Sequence, residues 1–311
     1  MIIFDFEWNR GYDKKPLDEI LQIGAVRVDR LGGPVTDTFN VYIRPVVHKK
    51  FDPGAKKLPE LEASRRSQVD FPTAMECFHT WCGTETVFAA WGNDDLKTLE
   101  RNCAYWNVPP LTAGETLDLQ RAFSCLVGTG QQVALQRAVE YCGIPDAFDF
   151  HDALYDSFYT SVVAEWITPE ALTASTLREL PQFCQEPFPV QPSRKVGPFA
   201  GREEALNARS SRRPACPLCG RRTWVLRWHG SDSLQYLSPF LCREHGRFLC
   251  RLTLAQTEDG RWQGGLSVPE LTQELLQEYR QTLEDGTAHR CKSSGRKPKH
   301  RRKRHKAVQT A

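Results

Sequence analysis

No apolar run in this chain approaches the ~20 residues that a membrane-spanning helix needs. The first residues do not predict a secretory leader either. Met1-Ile2-Ile3-Phe4-Asp5-Phe6-Glu7 carries two acids where a signal peptide needs an apolar stretch. Glycine (21) and proline (20) are too sparse among 311 residues for a collagen-like chain. With 40% hydrophobic and 25% charged residues, mucin-like composition and wholesale disorder are also excluded. No internal repeat is present. These absences predict a soluble protein that is not secreted and does not contact membranes. The expected location is cytoplasmic, or nuclear were the organism eukaryotic. The length fits one large domain plus a small one, or two of middle size.

Charge is split along the chain. From Arg290 to Ala311 there are ten Lys and Arg and no acids, leaving 31 basic against 38 acidic residues before it. The body is near −7 and the tail near +10, a division that points to a polyanionic partner, usually nucleic acid. Eleven cysteines are many for such a chain. Cys77, Cys82, Cys103, Cys125, Cys142 and Cys184 have no metal-like spacing and read as small hydrophobes. Cys216, Cys219, Cys242 and Cys250 cluster. An odd total without a leader favours reduced thiols and metal over a disulfide framework.

Residues 1–168 read as one α/β unit. Met1–Phe6, Ile20–Val28 and Val35–Ile43 are β-like runs, the last two joined by a Gly-Gly-Pro turn. Helical spacing marks Phe71–Trp81, Asp94–Tyr105, Gln131–Cys142 and Ala153–Trp166, with a further strand at Thr86–Trp91. Strands first, then strand–helix alternation, predicts a mixed sheet with helices on its faces. Residues 169–214, rich in proline, read as a linker that holds at most a short helix at Thr173–Phe183. Residues 215–266 carry Cys, Trp, Arg and short β-like runs. A Ser267…Glu270 capping box predicts a helix over 267–286. Residues 287–311 read as a basic disordered tail.

Acids fall at the ends of these elements. Asp5 and Glu7 are two apart on the first strand and project from one sheet face. Two adjacent carboxylates repel unless a cation lies between them, and hard oxygen ligands suit Mg²⁺ or Mn²⁺. Asp94 and Asp95 open a helix after a strand, where either would cap the dipole and reach the same sheet edge. His151 precedes the last helix of the unit, and Asp156 follows in an apolar context where an unpaired acid would be costly. Asp-x-Glu, Asp and His-x4-Asp in this order suit a two-metal phosphodiesterase, with His taking a proton from water.

Residues 1–168 resemble the DEDDh branch of the DnaQ-like 3′–5′ exonucleases. The stretches that carry the resemblance are Ile2–Glu7, Glu19-Ile20-Leu21-Gln22-Ile23-Gly24-Ala25-Val26, Trp91-Gly92-Asn93-Asp94-Asp95 and His151–Asp156. The resemblance implies a ribonuclease H-like fold. It also implies that Asp5, Glu7, Asp95 and Asp156 hold two Mg²⁺ or Mn²⁺ and that His151 is the general base. The Trp-Gly-x-x-Asp pattern favours Asp95 over Asp94. Many relatives have Thr after Asp-x-Glu where this chain has Trp8, an indole that could stack on the terminal base or belong to the core. Many relatives dimerise, so a homodimer is compatible with the resemblance.

Cys216-Pro217-Leu218-Cys219 and Cys242-Arg243-Glu244-His245 form two knuckles with four N/S ligands, the number a closed tetrahedral Zn²⁺ site needs. They predict a small zinc ribbon over 215–266 with one structural Zn²⁺. Cys250 could replace His245, and His229 is a weaker candidate. Arg221, Arg222, Trp224, Arg227, Trp228 and Arg243 interleave basic and aromatic side chains, a composition suited to single-stranded nucleic acid, although each Trp could equally be core. The function expected is therefore metal-dependent 3′–5′ exonucleolysis of single-stranded RNA or DNA. The rival is an inactive adaptor that binds nucleic acid. A ribbon that docks the nuclease on a larger machine is compatible with the first reading.

Overall fold

The structure, a computed structural model, describes residues 1–128, 131–177, 182–230, 234–285 and 288–292. The N-terminal unit contains strands β1 (Ile2–Asn9), β2 (Glu19–Val28), β3 (Val35–Tyr42), β4 (Val87–Ala90) and β5 (Glu115–Asp118). They form one sheet in the order β3-β2-β1-β4-β5, with β1–β3 antiparallel and β1, β4 and β5 parallel. This is the mixed sheet expected of a ribonuclease H-like fold. Its helices are α1 (Leu61–Arg66), α2 (Phe71–Cys82), α3 (Asp94–Trp106), α4 (Leu119–Val127), α5 (Leu135–Cys142) and α6 (Ala153–Ala164).

The period of β1 assigns its two faces. Ile2, Phe4 and Phe6 pack with Phe71, Met75 and Phe78 of α2 and Leu99 and Cys103 of α3. Ile3 faces the other way, into a core with Phe123, Tyr141, Tyr159 and Val163 from α4, α5 and α6. Asp5 and Glu7 share the parity of Ile3 and so point toward the α6 side. A strand covered on both faces reads as a nearly continuous apolar run, which makes two acids within it conspicuous.

Beyond residue 168 the organisation differs from the expected linker, ribbon and tail. The remaining elements are α7 (Pro169–Leu177), β6 (Arg194–Phe199), α8 (Arg202–Asn207), β7 (Arg227–His229), β8 (Gln235–Cys242), β9 (Gly246–Gln256), β10 (Trp262–Ser267), α9 (Gln273–Glu284) and β11 (Ala288–Arg290). The strands form a six-stranded sheet, β11-β7-β8-β9-β10-β6. The proline-rich segment therefore supplies an edge strand, where Pro198 can sit without breaking a ladder on both sides. The first residues assigned to the tail supply the other edge. The tail beyond Lys292 lies outside the described residues. The expected helix begins later than its capping box, because Ser267 is still paired with Arg251 in the sheet. Thr272 caps α9 instead, accepting from Leu275 N.

The second sheet leans on α4 and α5. Leu226 and Leu241 belong to the same core as Phe123 and Tyr141. The Tyr141 hydroxyl accepts from Leu241 N at 2.9 Å, and the Tyr279 hydroxyl donates to Gly128 O at 3.3 Å. Among the described residues, no helix is long and apolar enough to cross a membrane.

Candidate active site and metal centres

Register on the first sheet builds the acidic site. Asp5 pairs with Gly24 and Glu7 with Gln22 on β2. Gly24 is where α6 touches the sheet. A Cβ there would fall well inside contact distance of Leu154 N and the Ala153 carbonyl carbon, so the helix start can approach only because the position is glycine. Ser157 Oγ donates to Gly24 O at 2.9 Å, and Gln22 Oε1 accepts from Ala153 N at 3.3 Å. Asp152 caps α6 by accepting from Leu154 N and Tyr155 N. The first turn of α6, bearing Asp156, is thereby fixed above Asp5 and Glu7.

Asp94 and Asp95 take different positions. Asp95 is buried and its Oδ1 accepts from Phe6 N at 3.0 Å, between the two β1 carboxylates. Asp94 is exposed and lies 3.7 Å from Lys97. His151 is exposed, with a left-handed backbone (φ 66°), and its N–H donates to Asp156 Oδ2 at 3.1 Å. Glu7, His151 and Asp156 each offer a ligand atom within 4.8 Å of the other two. Asp5 and Asp95 are not in that tightest group, but both act on its electrostatics.

The electrostatics are those of anions without a counter-charge. Burial pushes Asp5 well above the usual carboxylate range, and Asp95, Asp156, Glu7 and Asp152 push it further. Burial, then Asp156, Asp95 and Asp152, raises Glu7 to about 8. Asp95 rises to about 7 through burial, partly offset by the Phe6 N–H. Asp156 rises to about 7 through burial, with the His151 N–H opposing. No cationic side chain is among these influences. Asp156 Oδ1 is buried and has no hydrogen-bond partner. An orphaned carboxylate oxygen beside three raised acids is the donor set a hard divalent cation fits.

A second cluster lies at one end of the six-stranded sheet. Cys216 and Cys219 occupy the turn before β7, Cys242 ends β8, and His245 sits in the β8–β9 turn. Cys219 Sγ and Cys242 Sγ are 3.7 Å apart, and His245 Nδ1 is 3.6 Å from both Cys216 Sγ and Cys242 Sγ. Tetrahedral bonds of about 2.3 Å to sulfur and about 2.0 Å to nitrogen imply separations of about 3.8 Å between sulfurs and about 3.5 Å between sulfur and nitrogen. The four donors therefore fit one Zn²⁺. Cys250 is instead buried, donating to Ser238 O, and His229 lies on β7 outside the cluster. Arg221 and Glu244, one from each knuckle, pair at 2.8 Å.

The RNase T exonuclease family matches residues 2–163, just over half of the chain. The chain belongs to this exonuclease family. A probable 3′–5′ exonuclease of Bacillus subtilis, KapD, is 28% identical over 166 residues, covering 50% of this chain and 78% of KapD. The nuclease domain of 3′hExo, a DEDDh family member bound to rAMP, has 19% identity and a TM-score of 0.45, covering 53% of this chain and 88% of that one. Exonuclease I of E. coli in complex with a dT13 oligonucleotide gives 17% identity and 0.44, covering 76% and 54%. The matched exonuclease segment contains Asp5, Glu7, Asp95, His151 and Asp156.

Of the side chains around the site, Phe148 and Tyr155 had no individual sequence signal as functional residues, whereas Glu19, Trp8 and Trp228 lay in stretches already singled out. Glu19 is buried and accepts from Val46 N and Val47 N at 2.6 Å and His48 N at 3.0 Å, holding the segment after β3. Phe148 and Tyr155 stack at 4.5 Å, both part-exposed, flanking His151 in sequence. Trp8 packs against the β1 outer core and is only half-buried. Trp228 is fully buried, donating from Nε1 to Leu206 O, and is not available for stacking on a base.

Proposed function

We propose that this protein is a metal-dependent 3′–5′ exonuclease acting on single-stranded RNA or DNA. The observation that carries the reading is the cluster of half-buried Asp5 and Glu7 with buried Asp95 and Asp156, without a cationic side chain and with Asp156 Oδ1 unpartnered. Family membership and the likeness to KapD support it. These carboxylates would hold two Mg²⁺ or Mn²⁺, which when bound polarise the scissile phosphate and the attacking water. His151 would serve as the general base, and its exposure leaves the imidazole accessible to that water. The bond from His151 N–H to Asp156 Oδ2 sets the ring's backbone next to the carboxylates. The Phe148–Tyr155 stack offers a ring face to the terminal base. Cys216, Cys219, Cys242 and His245 hold one structural Zn²⁺ in the same reading.

The test uses 5′-labelled single-stranded RNA and DNA with Mg²⁺, Mn²⁺ or EDTA, beside Asp5→Ala. A ladder that needs both metal and Asp5 is expected. Equal products from the wild type and Asp5→Ala would overturn the assignment. Binding in EDTA without cleavage under any condition would favour the adaptor.

A further inference from the structure

The interleaved basic and aromatic residues of the second sheet are not one surface. Trp228 is core, Arg221 pairs with Glu244, and Arg243 pairs with Glu165 at 2.6 Å. Arg227 is different. On the β7–β11 ladder it stands directly opposite Arg290. Like charges in that register destabilise a sheet. Among the described residues neither arginine has a carboxylate partner. Arg227 donates from Nη2 to Gln131 Oε1 at 2.6 Å, but its Nε is buried with no partner. Burial first, and Arg290 second, lower the basicity of Arg227.

Arg227 and Arg290 both line a small, solvent-open cleft at the seam between the two sheets. Gln131, Gln132, Arg137 and Leu226 complete most of its wall. Arg137 is paired with Glu140, which leaves the two opposed arginines as net positive charge. One wall of the cleft is tied to the segment that leads into the acidic site. Val133, on its wall, accepts at its carbonyl from Trp91 Nε1 at 3.0 Å and Gln120 Nε2 at 3.1 Å. Trp91 lies between β4 and Asp95.

We infer that Arg227 and Arg290 form a phosphodiester-binding site for the strand being trimmed, on its 5′ side of the scissile bond. Guanidinium forks match phosphate oxygens, and an anion between opposed arginines relieves their repulsion. The exposed Gln132 amide adds a neutral donor. The site reads backbone and not base, so it gives affinity without sequence preference. This inference rests on the exonuclease reading, and it gives the second sheet a role in substrate binding.

Affinity of the full chain, in the Asp5→Ala background and EDTA, is measured by fluorescence anisotropy with an end-labelled single strand of about 20 nucleotides across a salt series. Arg227→Gln with Arg290→Gln should weaken binding more than about tenfold near 0.1 M salt and reduce the salt slope by about 1.4, the value for two phosphates on a single strand. Arg261→Gln with Arg280→Gln, at exposed positions away from the cleft, should leave the slope unchanged. Arg290→Gln alone, also at an exposed position, should lose about half the slope and none of the melting temperature. In the otherwise wild-type chain the paired variant should keep turnover of a dinucleotide and raise KM for the long strand. An unchanged slope in an enzyme that cuts overturns this site alone. A wild type that cuts nothing overturns the exonuclease reading, and the slope then decides the site independently.

Discussion

The backbone N–H of Phe6 donates to the Oδ1 of Asp95 at 3.0 Å, tying the middle of the Asp-x-Glu strand to the first turn of α3. The bond distinguishes two acids that sequence spacing alone leaves in competition. Asp95 is buried against β1, whereas Asp94 points to solvent beside Lys97. Groups outside a metal's immediate ligands are worth about 10–100-fold, so losing a ligand should cost at least about 10². Asp95→Ala is expected to lose at least that much kcat, and Asp94→Asn to stay within a few-fold of wild type. Steady-state kinetics on both variants checks the assignment, and the reverse ranking would sink it.

The raised acids couple metal to stability with a definite sign. Asp156 moves from the usual 3.8 up to about 7, and Glu7 from 4.5 to about 8. Folded protein thus binds more protons than unfolded chain between about pH 4 and 8, and folding is disfavoured as pH rises through that window. In EDTA the melting temperature should fall across it more steeply than in Asp156→Asn. Adding Mg²⁺ or Mn²⁺ at pH 8 should recover the loss in the wild type, because an ion that binds only the native state stabilises it. Asp5→Asn should recover less. Identical pH curves with and without metal would contradict a cation site here.

Gly24 is the seat of α6. Any side chain there meets the backbone of Ala153 and Leu154, which cannot rotate away. Gly24→Ala should cost about 1–3 kcal/mol or more, the range for overpacking. Activity should fall further than stability explains, because displacing α6 also moves Asp156 and His151. Denaturant unfolding and kcat on the same preparation separate the two losses. Full activity in a folded Gly24→Ala would show that α6 is not held by this contact.

The first sheet was legible because its signals are local. Short apolar runs bounded by turn residues mark β1–β3, and the acids of β1 stand out against that background. The short strand Glu115–Asp118 and the helix Leu119–Val127 left little trace, the first because it is a brief edge strand. The second sheet was not legible in extent. Its edges come from segments far apart in the chain, and one of them contains proline, which argues against a strand when only composition is read. The Cys/His knuckles were readable because four ligands at fixed spacing suffice. The opposition of Arg227 and Arg290 was not, since a pairing between residues this far apart has no local pattern.

That shared architecture alters what loss of the zinc cluster should do. A free-standing ribbon would unfold alone. Here Leu226 and Leu241 sit in the core that contains Phe123 and Tyr141 of the nuclease unit, and Leu241 N bonds the Tyr141 hydroxyl. Cys242 directly follows Leu241 and ends β8. Cys216→Ser should therefore lose bound zinc, measured as about one equivalent in the wild type by elemental analysis. It should also lower the single melting transition of the whole chain instead of creating a separate early one. Cys250→Ser should keep the metal, since that thiol is turned to Ser238 O. A variant at Cys216 that melts in two steps, with the nuclease transition unmoved, would show that the two sheets do not stabilise each other.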